Sequence, residues 1–266
     1  MTNSLSENLT LTDPDYLWSY SRISQFDNCK YGFYLKYILG LQESGRFFSQ
    51  FGSFVHKILE QYFKGEIEKD DLYTYYLVNF SKEVTAPAPN PKIFNSYFNG
   101  GSEYFKNFDE TQFGKIVDVE KRIRFKIGDK KFVGVIDLIT QSESGEYTLV
   151  DHKSRMLKPR SKRKTPTQSD IELDKYFKQL YLYSIPADEA GYKPDYLMFN
   201  CFRNGNQIKE KINPAITEEV KRLMLEKIKT IENNEKWTPN LENEFFCRYL
   251  CGLTEQCEYF EMCYGR

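Results

Sequence analysis

Apolar and polar positions alternate with two different periods along this chain. Residues 15–63 carry apolar side chains at helical spacing and predict two helices separated near Gly45. In the second, Phe51, Phe54, Val55, Ile58, Leu59, Tyr62 and Phe63 recur at three and four residues, and Gly65 stands where a C-terminal stop belongs. Aromatic helical sequence continues to Phe80, Pro87, Pro89 and Pro91 interrupt it, and a further helix is predicted over 92–108. From Lys115 the pattern shortens to β-branched and aromatic runs. Residues 115–127, 131–140 and 146–153 read as strands, with turns at Gly128 and Gly145. A polar stretch, 154–170, leads to a helix over 171–185. A hairpin follows, 196–202 with 206–212, and then a charged amphipathic helix over 214–233. Strands followed by a helix and more strand imply an α/β fold with a mixed central sheet flanked by helices.

Four parts are expected: a polar leader (1–14), a helical N-terminal part carrying Cys29 and His56 (15–110), a core (111–235) and a cysteine-rich clasp (236–266) docking on the N-terminal part. The composition, 40% hydrophobic and 28% charged, supports a buried core and excludes a collagen-like or disordered chain. No apolar run is long enough to cross a bilayer, and the first twenty residues lack the basic and apolar regions of a signal peptide, so a cytoplasmic location is expected. The net charge is only −1, so any polyanion must meet a local basic patch.

One such patch is evident. Lys153, Arg155, Lys158, Arg160, Lys162, Arg163 and Lys164 follow one another without an intervening acid. Their repulsion favours an extended, mobile segment, read either as a solvated charge run or as an arm tracking a nucleic-acid backbone. The segment leaves a strand ending in Asp151, His152 and Lys153, and Asp137 ends a run on the preceding strand. Residues two apart in a strand share a face, so Asp151 and Lys153 project together and His152 points away. Two carboxylates on neighbouring strands can share a hard cation such as Mg²⁺. A surface Asp-Lys pair is the simpler alternative. His56 lies on the strongest amphipathic helix, one turn before Glu60, and Gln179 and Tyr183 share a helix face. Of six cysteines, Cys247, Cys251, Cys257 and Cys263 fall in the last twenty residues, a crowding that reads as metal binding; Cys201 reads as core.

These residues carry a resemblance. Ser21-Arg22-Ile23-Ser24-Gln25-Phe26-Asp27-Asn28-Cys29, Phe33-Tyr34-Leu35-Lys36-Tyr37, Gly52-Ser53-Phe54-Val55-His56, Gly134-Val135-Ile136-Asp137, Asp151-His152-Lys153 and Gln179-Leu180-Tyr181-Leu182-Tyr183 occur in the order seen in RecB-type nucleases of the PD-(D/E)XK superfamily. With its C-terminal thiols the chain resembles the iron-sulfur branch, which includes CRISPR-associated adaptation exonucleases and the AddB nuclease domain. The resemblance implies a restriction-endonuclease-like core. It implies His56, Asp137 and Asp151 as ligands of Mg²⁺ or Mn²⁺, joined by the His152 carbonyl, with Lys153 as the catalytic lysine and Gln179 and Tyr183 as accessory residues. Glu120 corresponds to an acidic position of some members and stays outside the main assignment. The resemblance further implies a four-iron four-sulfur (4Fe-4S) cluster on Cys29, Cys247, Cys251 and Cys257. Three residues separate Cys247 from Cys251 where two are usual, which makes Cys263 a candidate substitute. Zinc is the rival occupant, since thiolates suit both.

The expected activity is metal-dependent hydrolysis of DNA, as an exonuclease on single-stranded ends, with unwinding left to a helicase or recombination partner. Recombination, viral DNA processing and CRISPR adaptation are its candidate settings. A nucleic-acid-binding or assembly subunit with a structural clasp and a vestigial site is the alternative, and a zinc-stabilised scaffold without DNA is a third reading.

Overall fold

The computed structural model describes residues 10–264. Most of the expected leader therefore lies outside the described residues, as do the last two residues of the expected clasp. In chain order the regular elements are β1 (Leu17–Trp18), α1 (Tyr20–Asn28), α2 (Lys30–Phe33), α3 (Phe47–Phe63), α4 (Leu72–Glu83), α5 (Pro91–Lys106), β2 (Lys115–Ile127), β3 (Lys130–Gln141), β4 (Tyr147–Lys153), α6 (Gln168–Glu189), β5 (Pro194–Cys201), β6 (Asn206–Lys211), α7 (Pro214–Glu232) and α8 (Glu258–Tyr264). The strands form a mixed sheet in the order β1-β3-β4-β5-β6, and β2 pairs with β3. β3 and β4 are antiparallel, β4 and β5 parallel, β5 and β6 antiparallel. This is the α/β class that the sequence pattern predicts.

Two compact units divide the chain. One comprises residues 1–46, 124–134 and 221–266, the other residues 47–123 and 135–220. The cuts fall elsewhere than the expected boundaries: Cys29 belongs to the first unit and His56 to the second.

The second unit is built on an aromatic core. The stripe Phe47, Phe51, Phe54, Val55, Ile58 and Leu59 of α3 is buried with Leu72, Tyr76 and Phe80 of α4, Tyr104 and Phe105 of α5, and Leu138, Val150 and Met198 of the sheet. Helix spacing puts these α3 residues on one face, and burying it supplies most of the helix's stability. α4 and α5 meet closely at Gly101, where a Cβ would lie 2.5 Å from the Tyr76 hydroxyl. β4 and β5 are buried almost throughout, as expected of parallel neighbours covered on both faces. α6 starts at Thr167, whose side chain accepts from the Asp170 amide while the Asp170 carboxylate accepts from the Thr167 amide. It runs past the expected end at Ile185 and through Pro186, because its last turns, Leu180 to Ala187, are buried.

In the first unit, Ser19 caps α1 by accepting from the Arg22 amide. β1, in a stretch predicted to be helical, pairs in parallel with Lys131 and Phe132 and buries Trp18. Trp237 stacks on Phe33 with ring centroids 5.8 Å apart, which ties the segment after α7 to α2.

Candidate active site and thiolate pocket

Three segments of the second unit bring the carboxylates and imidazole together. Leu138 pairs with Val150, so the antiparallel register brings Asp137, within β3, opposite Asp151 near the end of β4. The His152 amide donates to Asp137 Oδ2 at 2.8 Å. α3 presents His56, whose Nε2 lies 2.8 Å from the His152 carbonyl oxygen and must donate to it. Its Nδ1 is then 3.5 Å from Asp137 Oδ2. The His152 ring itself points away, taking a 2.9 Å hydrogen bond from the Asn200 amide at Nδ1. Burial, and then the charges of His56 and Lys153, hold this ring well below the usual histidine range, so it is a neutral support.

Lys153 Nζ sits 2.7 Å from Asp151 Oδ2 and donates to Gln179 Oε1 at 3.1 Å. Burial opposes its charge, but the Asp151 carboxylate outweighs burial and raises its pKa. Tyr183 stands beside Gln179, its hydroxyl pushed up to about 12 chiefly by burial. Asp151, Lys153, Gln179 and Tyr183 thus form a continuous polar chain from β4 to α6, and Asp151 and Lys153 share a face as expected.

Among the described residues, His56, Glu120 and Asp137 group their ligand-type atoms within 4.8 Å of one another. Asp151 lies outside that trio, and Glu120, left aside in the sequence reading, lies inside it. Glu120 has φ +50°, a left-handed conformation uncommon for a residue other than glycine and costing on the order of 1 kcal/mol. Burial and then the Asp137 charge raise its carboxyl to about 7. Burial likewise raises Asp137, with His56 opposing. Asp151 Oδ2 is buried against the Lys153 ammonium. Crowded acids and a strained backbone are what a cation-binding site looks like before charge neutralisation. The donor set, carboxylate oxygens and one imidazole, fits Mg²⁺ or Mn²⁺.

The basic run does not behave as an isolated arm. Arg160 is ion-paired with Asp174 at 2.7 Å and Glu210 at 2.9 Å, and Arg155 is bound to Glu172. The Ser161 amide and hydroxyl both donate to Asp170 at 2.7 Å. Acids remote in sequence therefore anchor a segment for which local repulsion alone predicted mobility. Glu60 is bound to Lys64, one turn further along α3.

In the first unit, Cys29, Cys247, Cys251 and Cys257 line one pocket with Leu35, Phe246, Leu253 and Phe260. Cys29 Sγ accepts from the Gly32 and Asn240 amides at 3.3 and 3.5 Å. A Cβ on Gly32 would lie 3.7 Å from that sulfur and collide with Gln25. Burial and then the neighbouring thiols raise Cys247 to about 11; Cys251 and Cys257 are raised for the same reasons, against local amides. Four converging thiols, with burial penalising ionisation of Cys247, Cys251 and Cys257 and amides already aimed at the Cys29 sulfur, fit a positively charged thiophilic group. Cys263 is exposed and outside this pocket, and Cys201 is buried in β5.

Among the described residues no helix is long and apolar enough to cross a membrane. The curated relatives include uncharacterized proteins of Rickettsia felis, 28% identical over 187 residues, and Rickettsia typhi, 28% identical over 169 residues. The alignments cover 61% and 53% of this chain but only 20% and 18% of those proteins, so the chain spans about a fifth of their length. A crystal structure from Eubacterium rectale, described provisionally as an exonuclease, superposes over 100% of both chains with TM-score 0.50 and 11% identity, which speaks for the fold. The sequence profile of the PD-(D/E)XK nuclease superfamily matches residues 17–264. With Asp137 on β3 beside Asp151 and Lys153 on β4 and that match spanning nearly the whole sequence, the chain belongs to the PD-(D/E)XK nuclease superfamily.

Proposed function

We propose that this protein is a divalent-metal-dependent DNA nuclease acting as an exonuclease on single-stranded ends. The observation that carries the reading is the convergence of His56, Glu120, Asp137 and Asp151 beside a lysine fixed between a carboxylate and a glutamine. His56, Asp137 and Asp151, joined by Glu120 and the His152 carbonyl, are the residues that would hold Mg²⁺ or Mn²⁺. When bound, such a cation supplies Lewis acidity toward phosphate and acidifies water. Lys153, kept charged by Asp151, donates toward the phosphate oxygen on which negative charge grows during displacement. Gln179 sets the direction of that ammonium, and Tyr183 steadies Gln179. Exonuclease action draws support from the description given to the Eubacterium rectale protein.

Cys29, Cys247, Cys251 and Cys257 hold a four-iron four-sulfur cluster in this reading. The four thiols line one pocket with apolar side chains, and thiolates in such surroundings suit an iron-sulfur cluster, with zinc as the rival. The cluster joins Cys29 to the C-terminal segment and stabilises the first unit. The much greater length of the Rickettsia relatives suits a nuclease module working with a helicase or recombination partner, in the cytoplasm.

An end-labelled single-stranded oligonucleotide incubated with Mg²⁺ or Mn²⁺ tests the activity. Progressive shortening by the wild-type protein, absent in Asp151→Ala and Lys153→Ala, is expected. Binding without cleavage by the wild-type protein would favour the alternative of a nucleic-acid-binding subunit with a vestigial site.

A further inference from the structure

Next to Lys153 lies a second cationic group that the cleavage chemistry does not use. β4 and β5 end together: Lys153 pairs with Cys201, and the Phe202 amide donates to the Lys153 carbonyl at 3.2 Å. The residues that follow, Ser154 and Arg155 on one side and Arg203 on the other, therefore emerge from the sheet edge that carries Asp151 and Lys153. α5 closes on this edge at Gly100, where a Cβ would lie 2.9 Å from the Arg203 carbonyl oxygen, so the Arg203 backbone is held firmly.

The Arg203 guanidinium lies 3.6 Å from the centroid of the Tyr97 ring. One terminal nitrogen donates to Ser96 Oγ at 3.0 Å, the other reaches the Ser154 carbonyl only at 3.5 Å, and Nε is buried with no hydrogen-bond partner. Arg203 makes no ion pair among the described residues, unlike Arg155 and Arg160 nearby. Tyr176 has two further cations near it, with Lys153 Nζ and the Arg155 guanidinium each 5.8 Å from its ring centroid. Burial raises the Tyr97 hydroxyl, and the charges of Arg203 and Arg155 oppose that rise. A half-buried guanidinium without a counter-ion is costly, and stacking on tyrosine recovers only part of that cost. Two aromatic faces interleaved with cations are the elements used to hold single-stranded nucleic acid.

We infer that Arg203, stacked on Tyr97, grips the phosphate next to the scissile one in a single DNA strand, with Tyr176 offering its face to a flanking base. This rests on the nuclease reading for its position in the reaction, though the contact itself is tested by binding. Arg203 aligns the strand so that the adjoining phosphate meets Lys153; it takes no part in the bond-breaking step.

The test is equilibrium binding of a fluorescent oligothymidylate, without added divalent cation, over a range of salt concentrations. Arg203→Gln should weaken binding about tenfold and reduce the log–log salt slope by about 0.7, the value for one phosphate contact on a single strand. Arg203→Lys should retain the slope while losing part of the affinity, because it keeps the charge but not the fork. A variant that only loosened packing would leave the slope unchanged, and that result overturns the inference. Should Arg203→Gln fail to fold, oligonucleotides each carrying one neutral methylphosphonate give the answer with the wild-type protein and Arg203→Lys. One position should cost the wild-type protein about tenfold and Arg203→Lys clearly less; identical penalties in both proteins would overturn the inference. Failure of the wild-type protein to cleave DNA would remove the nuclease reading and leave these binding results standing.

Discussion

The two donor clusters answer the same electrostatic problem in opposite ways. In the second unit the donors are oxygen and imidazole, held by three strands and one helix, with Glu120 strained at φ +50° and Asp137 crowded against it. In the first unit the donors are sulfur, walled by Leu35, Phe246, Leu253 and Phe260 and met by backbone amides. Hard oxygen donors suit a cation that exchanges and leaves room for substrate, whereas an apolar thiol pocket suits a resident group that stabilises the fold. On the proposed reading, the acid site lowers the stability of the cation-free protein, while the thiol site, once filled, raises it.

That contrast breaks most sharply in the effects of single substitutions. Asp151→Ala and Lys153→Ala should each slow cleavage about 10³-fold or more, a loss of at least about 4 kcal/mol in transition-state stabilisation. Their thermal unfolding should stay near that of the wild-type protein; a large drop in melting temperature would mean that the pair is structural. Cys29→Ser should do the reverse, abolishing visible absorption in anaerobically purified protein and lowering the melting temperature by on the order of 10 °C. Cys263→Ser should change neither, because that thiol is exposed and outside the pocket.

Glu120→Gln sharpens the comparison further. Removing one of two neighbouring negative charges should stabilise the cation-free protein by about 1 kcal/mol in urea titrations, since the carboxyl is half-buried and its charged form disfavoured. The same change should weaken Mn²⁺ binding about tenfold, as a lost ligand does. Stability and affinity moving in the same direction would contradict a ligand role for Glu120.

The smallest effect lies outside both clusters, at the start of α6. Asp170 accepts from the amides and hydroxyls of Ser161 and Thr167, which hold its carboxyl well below the ordinary carboxylate value of 3.8. A group whose folded pKa is depressed contributes stability that is complete above its unfolded value and lost as pH falls through the folded one. Asp170→Asn should therefore lower stability at neutral pH and flatten its decline below pH 3.8. An unchanged acid limb would show that the carboxylate gains nothing from these bonds.

Much of this architecture was legible because local pattern and tertiary role agree. The strands β2, β3 and β4 fall within a residue or so of their predicted ranges, and the apolar stripe of α3 is the stripe that is buried. Alternation along β4 correctly put Asp151 and Lys153 together and His152 apart. What escaped was set by partners distant in sequence. Glu120 reads as one acid in a charged stretch, and only the strand's left-handed residue turns it toward His56 and Asp137. The cations of residues 153–164 find Asp174 and Glu210 only after folding. β1 is two residues long, and its pairing with Lys131 and Phe132 has no periodic signature. α6 continues past the expected end at Ile185 and through Pro186, because burial of its last turns outweighs the lost hydrogen bond.

The central claim is that the oxygen and imidazole donors of the second unit bind the catalytic cation. Mn²⁺ titration followed by electron paramagnetic resonance, on the wild-type protein and on Asp137→Asn purified in the same anaerobic way, addresses it directly. A saturable site in the wild-type protein that is lost or weakened at least about tenfold in the variant is predicted. Equal Mn²⁺ binding by the two proteins would contradict the account.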